Sequence, residues 1–178
     1  MSLNKLMSVY LDEQISDVLS SFFCKKDRDV ELFLKEKAIV QEKKHLSRTY
    51  IIFSGNSKEL VAYFTIAISN MDTSGLECSK GMEHKMNIKK GSAQCYLLGQ
   101  LGKCDKAPKG LGKFAMDRAM DRIVEANLNV GCRLIRVDCR SVLRKYYEDN
   151  GFTLARCNEE NGLMQMVRII GTLPPQPA

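Results

Sequence analysis

Two stretches of the sequence contain residue types and spacings that could do chemistry. The first is Cys95–Gly112, an apolar run of strand length that passes through a polar turn at Pro108 and ends in Lys-Gly-Leu-Gly, with a further lysine at 113. A helix that follows a glycine loop presents backbone N–H groups without intrahelical partners, and its dipole adds positive potential there. This stretch predicts a binding site for a phosphate-bearing ligand. The alternative is a tight turn with no ligand.

The second stretch is 145–152, which reads Lys-Tyr-Tyr-Glu-Asp-Asn-Gly-Phe. A tyrosine, three residues and Gly-Phe resemble the segment that closes the last helix of the GCN5-related N-acetyltransferases, the GNAT family. The order of elements around both stretches is strand, glycine loop, long helix, short strand, tyrosine-bearing helix and final strand. That order resembles the acetyl-CoA-binding half of the family over roughly residues 94–170. The two motifs together are more specific than either motif alone.

The resemblance implies that acetyl-CoA is the co-substrate. It places the strand backbone of Leu101, Gly102 and Lys103 along the pantetheine arm of the cofactor. It places the glycine loop around the pyrophosphate, with the binding residues Lys109, Gly110, Leu111, Gly112 and Lys113. The chain departs from the family three residues before the first glycine, where Ala107 stands in place of the usual Arg or Gln.

The resemblance also assigns a catalytic residue. Tyr147 matches the position of the family's general acid, and an unperturbed phenol with a pKa near ~10 is protonated at neutral pH and can donate to the departing thiolate. The alternative is that Tyr146 and Tyr147 are both packing residues. No carboxylate stands out as a general base. An α-amine, with a pKa near ~8, needs such a base less than a lysine side chain does, which favours an α-amine acceptor.

A second, looser resemblance lies in the amino-terminal half. The segments Phe23–Asp27, Leu32–Ala38 and Ser47–Tyr50 resemble a GNAT branch that contains bacterial toxins acetylating aminoacyl-tRNA. Leu98–Leu101 is similar to a strand motif of that branch, in which an arginine usually stands in place of Gln100. The acceptor amine implied by this branch is aminoacyl-tRNA, with a small molecule or a protein as the alternatives. An antitoxin and a second copy of the chain are the candidate protein partners.

A function of another class also stays open. Ala107 and the absence of an evident base are compatible with a catalytically silent GNAT-like module that binds acyl-CoA or a partner. The net charge of +6 is compatible with an RNA acceptor, although the lysines of the loop could instead face the cofactor phosphates or solvent.

The composition predicts a cytoplasmic protein with one domain. A chain of 178 residues with 44% hydrophobic residues suits a single domain over 1–171, and the proline-rich tail, 172–178, is expected to be disordered. No apolar run approaches the ~18 residues of a membrane span. The seven cysteines are scattered, which fits a reducing compartment and predicts no metal site.

The hydrophobic periodicity predicts an α+β fold with a mixed, mostly antiparallel sheet flanked by helices. It predicts helices from Asp27 to about Gln41 and from Leu111 to about Leu128. Ser141–Asn150 is predicted to be the tyrosine-bearing helix. The predicted strands are 48–53, 60–68, 134–139 and 163–170. The polar stretch 70–91 has no sustained period, so we expect a long loop or a short helix there, bordering the acceptor site as in the family.

Overall fold

The computed structural model describes residues 1–6, 15–55, 59–74, 76, 80–86, 88 and 91–171. Its α-helices in these ranges are α1 (Ile15–Ser20), α2 (Arg28–Leu32), α3 (Ala38–Lys43), α4 (Lys80–Met86), α5 (Leu111–Asn129) and α6 (Arg144–Asp149). A π-helical turn, Phe33–Lys37, joins α2 to α3, and a 3-10 turn, Ser141–Leu143, precedes α6. The strands are β1 (Ser2–Lys5), β2 (Arg48–Phe53), β3 (Leu60–Asp72), β4 (Ser92–Lys103), β5 (Leu134–Cys139), β6 (Thr153–Cys157) and β7 (Met164–Ile169). The predicted tail lies outside the described residues.

The strands form a sheet in the order β1-β2-β3-β4-β5-β7-β6. The pairs β1–β2, β2–β3, β5–β7 and β6–β7 are antiparallel. β4 and β5 are parallel, with Cys95 opposite Leu134 and Leu97 opposite Arg136. A parallel pair needs a crossover connection, and α5 supplies it. The mixed, mostly antiparallel sheet with flanking helices confirms the fold class predicted from the sequence.

The chain forms two compact units, and β3, β4 and α5 each contribute residues to both. The first unit contains the described residues of Met1–Ala67 and Leu98–Ile123. The second contains those of Ile68–Leu97 and Val124–Ala178.

The core of the first unit joins α1, the helical segment after it, β2 and β3. Its buried members include Leu19, Phe22, Leu34, Ile51 and Tyr63. Burying each such side chain contributes about 1.5–3 kcal/mol of hydrophobic stabilisation. Asp27 caps α2, since its carboxylate accepts the Val30 N–H at 3.5 Å.

The core of the second unit contains Met71, Cys95, Leu134 and Val167, with Met86 of α4 packed among them. The stretch 70–91, for which we expect a long loop or a short helix, therefore contributes buried residues from the end of β3 and from α4.

The periodicity of α5 is that of an amphipathic helix. Leu111, Ala115, Ala119 and Ile123 recur every four residues and are all buried. The observed helix starts at the predicted residue and ends one residue after the predicted end.

Candidate active site

The end of β4 carries the three residues that the sequence assigns to the pantetheine arm. Gly102 is buried, whereas Leu101 is half-buried and Lys103 is exposed. A Cβ atom on Gly102 would lie 2.3 Å from Val30 Cγ1 and 3.0 Å from Tyr63 Cε1. Real Cβ atoms do not come that close to their neighbours, so close packing within the first unit requires a glycine at this position.

The loop after β4 is fixed by backbone hydrogen bonds. The Cys104 N–H donates to the Val61 carbonyl oxygen at 2.8 Å, and the Ala107 N–H donates to the Cys104 carbonyl oxygen at 3.0 Å. The half-buried Ala107 packs against the core of the first unit. The position that carries Arg or Gln in the family is therefore occupied here by a methyl group that anchors the loop through apolar contact.

Gly110 has the conformation expected of a glycine in a binding loop. Its φ of 85° lies in the left-handed region, and no heavy atom lies within 4 Å of a Cβ built on it. A positive φ favours glycine over residues with a side chain, and the absence of a side chain leaves space for a ligand. Gly162, in another exposed turn, has a φ of 68° and is equally open, so these two features show an exposed turn with space for a ligand.

The first turn of α5 follows directly. The Phe114 N–H donates to the Gly110 carbonyl oxygen at 3.2 Å, and the Leu111 N–H donates to the Pro108 carbonyl oxygen at 3.5 Å, so Gly112 and Lys113 lie in the first turn of the helix. Leu111 is 2% exposed and fixes the start of the helix in the core. The positive end of the dipole of this long helix therefore favours an anion next to the loop.

The three lysines assigned to the cofactor differ in their surroundings. Lys103 and Lys109 are exposed. Lys113 forms an i,i+4 ion pair with Asp117, and both side chains are largely exposed. That pair offsets part of the charge that Lys113 brings to the loop, although a solvent-exposed pair is weak.

Tyr147 lies in α6 of the second unit and is 5% exposed. Its ring makes edge-on contacts with Tyr146, at 5.1 Å between ring centroids, and with Phe152, at 5.6 Å. Such contacts contribute about 0.5–1.5 kcal/mol each beyond the area they bury. Tyr147 therefore has a packing role whatever its chemistry.

The Gly-Phe pair closes α6 through a Schellman motif. The Phe152 N–H donates to the Tyr147 carbonyl oxygen at 3.0 Å, and the Gly151 N–H donates to the Glu148 carbonyl oxygen at 2.9 Å. Gly151 has a φ of 81°, as the C′ position of this motif requires. The contact between the rings of Tyr147 and Phe152 is the hydrophobic contact that accompanies the motif. Helix capping alone therefore explains the spacing of the tyrosine, the glycine and the phenylalanine.

The second unit also contains a cavity of about 740 Å³. Lys80, Glu83 and His84 of α4 line it, as do Asn127 and Cys132. The Cys132 N–H donates to Asn127 Oδ1 at 2.8 Å. Sequence reasoning missed this cavity because its residues come from segments that are distant along the chain, and no motif joins them.

The buried cysteines are poor nucleophiles. Burial raises the pKa of Cys95 to about 12 and that of Cys139 to about 11, so both thiols stay protonated at neutral pH. Among the described residues, no group of three or more His, Cys, Asp or Glu is arranged to hold a metal ion.

The structure therefore places Leu101–Lys103 and the glycine loop in the first unit, and it places Tyr147 in the second.

No protein-family model and no curated protein matches the sequence. Solved structures do match the fold. AtaT complexed with acetyl-methionyl-tRNAfMet aligns with a TM-score of 0.72 and 21% sequence identity, covering 92% of each chain. A tyrosine-to-phenylalanine mutant of KacT aligns with a TM-score of 0.73 and 20% identity, again covering 92% of each chain.

A mutant AtaT toxin bound to the C-terminus of the antitoxin AtaR and acetyl-CoA also aligns. Its TM-score is 0.69 at 18% identity, covering 94% of this chain and 92% of that one. These structural matches show that the chain has the GNAT fold. Its structural neighbours include AtaT and KacT. In the described part of the chain, no helix combines the length and apolar character needed to cross a membrane.

Proposed function

We propose that this protein is an acetyl-CoA-dependent N-acetyltransferase whose acceptor is the α-amine of aminoacyl-tRNA. The open, left-handed Gly110 at the start of α5 is the observation that carries the cofactor assignment. Neighbours of the same fold support the rest, since one of them is an AtaT complex with an acetylated aminoacyl-tRNA and another is bound to acetyl-CoA. An antitoxin is a candidate partner for the same reason.

The loop residues would bind the phosphates of acetyl-CoA. The loop at Gly110 and the first turn of α5, which contains Leu111, Gly112 and Lys113, would lie against the pyrophosphate, where the positive end of the helix dipole stabilises the anion and Lys109 adds charge. The β4 backbone at Leu101–Lys103 would bind the pantetheine arm and polarise the thioester carbonyl through an N–H group. Gly102 suits this role because its peptide is held in place by the packing around it.

The transfer itself forms one bond and breaks one. The neutral acceptor amine attacks the thioester carbonyl carbon, a C–N bond forms, and the C–S bond breaks with the electron pair leaving on sulfur. Tyr147 would donate its phenolic proton to that sulfur. The amine loses one proton as the amide forms, and taking up a proton returns Tyr147 to its neutral form. An α-amine is partly neutral at physiological pH, so the reaction needs no strong base.

The competing function is a silent module that binds acyl-CoA without turnover. The packing role of Tyr147 in the helix cap and the apolar contact of the half-buried Ala107 favour it, because both features have structural explanations without catalysis. The two functions differ in whether the protein transfers the acetyl group from bound acetyl-CoA to an acceptor amine.

The deciding experiment incubates the protein with acetyl-CoA and a charged tRNA, then digests the RNA and weighs the terminal aminoacyl-adenosine by mass spectrometry. We expect a product heavier by one acetyl group, and none with deacylated tRNA. Free amino acid esters and lysine peptides, tested in parallel, distinguish an RNA acceptor from a small-molecule or protein acceptor. Binding of acetyl-CoA without any product on all three acceptors would contradict the enzyme proposal.

A further inference from the structure

A basic surface lies next to the glycine loop, in the first unit. Two hydrogen bonds join the loop before α2 to the loop after β4. The Asp105 N–H donates to the Phe23 carbonyl oxygen at 2.9 Å, and the Lys25 N–H donates to Asp105 Oδ2 at 3.0 Å. The exposed cations of both loops therefore share one region of the surface. We call it the basic surface, and its members are Lys25, Lys26, Arg28, Lys103, Lys106 and Lys109.

The carboxylates near this surface are committed to other groups. Asp105 accepts the Lys25 N–H, and Asp27 accepts the Val30 N–H as the cap of α2. Glu31 accepts the Cys24 N–H at 2.9 Å and pairs with Lys35 at 2.8 Å. The charges of Glu31 and Lys35 cancel, and Asp27, Asp29 and Asp105 offset part of the charge of the six cations, so the region keeps a net positive charge. Such clustering is the electrostatic footprint of a phosphate backbone.

An aromatic ring lies within this region. Phe23 is 50% exposed, and the Lys35 ammonium lies 4.2 Å from its ring centroid. Its neighbour Phe22 is buried and makes an edge-on contact with Tyr63, at 5.3 Å between centroids. The buried Phe22 ring and the hydrogen bond to the Phe23 carbonyl oxygen fix the backbone that carries the exposed ring, and the Lys35 ammonium packs against one face of that ring. A fixed, exposed ring among cations matches how proteins bind single-stranded nucleic acid, by stacking bases and contacting phosphates.

We propose that the basic surface and Phe23 bind the single-stranded 3′ end of the tRNA acceptor. Lys25, Lys26 and Lys106 contact its phosphates, and Phe23 stacks on an unpaired base. This inference rests on the proposed function, because the amine to be acetylated is attached to that end of the RNA. A single strand is favoured over a duplex because the bases of a duplex are stacked on one another and offer no free face to a side chain.

The test measures the binding of fluorescently labelled tRNA by anisotropy across a salt series, alongside acetyl-CoA binding by calorimetry. The main variant is Lys25→Gln/Lys26→Gln/Lys106→Gln, which spares the residues assigned to the cofactor. Lys37→Gln/Lys44→Gln/Lys85→Gln removes the same charge from exposed positions elsewhere and serves as the control. A second probe is the same tRNA with its single-stranded 3′ end trimmed away.

We expect the main variant to lose about tenfold or more in RNA affinity, with the slope of log K against log salt reduced by about 2, since each phosphate contact on a single strand contributes about 0.7. Phe23→Leu should lose about fivefold or more on intact tRNA and nothing on the trimmed tRNA, because the stacked base is then absent. Acetyl-CoA affinity should stay at the wild-type value in both.

Other outcomes overturn the inference in distinguishable ways. Equal RNA affinity in the main and control variants would show that the surface does not bind RNA. A loss of acetyl-CoA affinity alone would assign the surface to the cofactor phosphates. Wild-type protein that binds acetyl-CoA and acetylates a small amine but binds no tRNA would overturn this inference and leave the acetyltransferase standing. Wild-type protein that binds no acetyl-CoA would overturn the proposed function itself.

Discussion

Two glycines with nearly the same backbone conformation, Gly110 and Gly151, serve different purposes. Gly110 has a φ of 85° and nothing within 4 Å of a Cβ position, so its surroundings are open. Gly151 has a φ of 81°, but it closes a Schellman motif and the Arg168 side chain lies 3.6 Å from its Cβ position. The first has the features of a binding loop, and the second has those of a helix end. Both glycines belong to motifs that resemble the same family. At Gly110 the glycine leaves open space, whereas at Gly151 it allows the helix to end in a Schellman motif.

The comparison is tested most strongly at Tyr147. Tyr147→Phe retains the ring that packs against Tyr146 and Phe152 but removes the phenolic proton. If Tyr147 is the general acid, kcat should fall by about 10²–10⁴ in a variant that remains folded at the assay temperature. Steady-state kinetics measures kcat, and denaturant unfolding shows whether the variant is folded.

Tyr146→Phe provides the matched control, since it removes the neighbouring hydroxyl from the same helix. We expect its kcat to stay close to that of the wild type. Equal, small effects of the two substitutions would reduce Tyr147 to a packing residue and favour the silent module.

At the helix end, Phe152→Ala should cost about 3–5 kcal/mol of folding free energy, because a ring that is 2% exposed is removed and leaves a cavity beside Tyr147. Urea unfolding measures the loss. A cost below about 1 kcal/mol would contradict the packing account of this motif.

Gly102→Ala should cost about 1–3 kcal/mol, because its Cβ would collide with Val30 Cγ1. The added Val30→Ala substitution should recover part of that loss in a double-mutant cycle. Gly131 has nothing within 4 Å of its Cβ position, so Gly131→Ala should stay within about 0.5 kcal/mol of the wild type. Additive losses from Gly102→Ala and Val30→Ala would refute the proposed collision.

The smallest effects are expected from alanine at the two left-handed glycines. Gly110→Ala and Gly151→Ala should each cost about 1–2 kcal/mol, since both force an L-residue into a positive φ. Gly110→Ala alone should also weaken acetyl-CoA binding, as measured by calorimetry. Equal cofactor affinities in the two variants would remove the distinction between the binding loop and the helix end.

Much of the local structure can be predicted from the sequence because short-range rules determine it. The observed strand Leu134–Cys139 has its predicted bounds, and Asp27 caps α2 through a side chain three residues from its partner. The glycine at 110 also has the positive φ that its place before a helix suggests.

Long-range contacts account for what the sequence does not reveal. The bond between Lys25 and Asp105 joins positions 80 residues apart, and the collision around Gly102 depends on Val30 and Tyr63. Hydrophobic periodicity along the chain does not identify neighbours that are distant in sequence. The sequence therefore predicts a cofactor contact at Gly102 but not its packing role. The π-helical turn Phe33–Lys37 likewise interrupts a helix whose apolar spacing is continuous.

Thermal unfolding with and without acetyl-CoA tests the central claim most directly. A ligand present at 100 times its Kd stabilises the native state by about 2.7 kcal/mol, which corresponds to a rise in Tm of about 5–10 °C for a chain of this size. We predict that rise for the wild type, its retention in Gly131→Val, and its loss in Gly110→Val. No rise in the wild type at saturating acetyl-CoA would contradict the account of the glycine loop as a cofactor site.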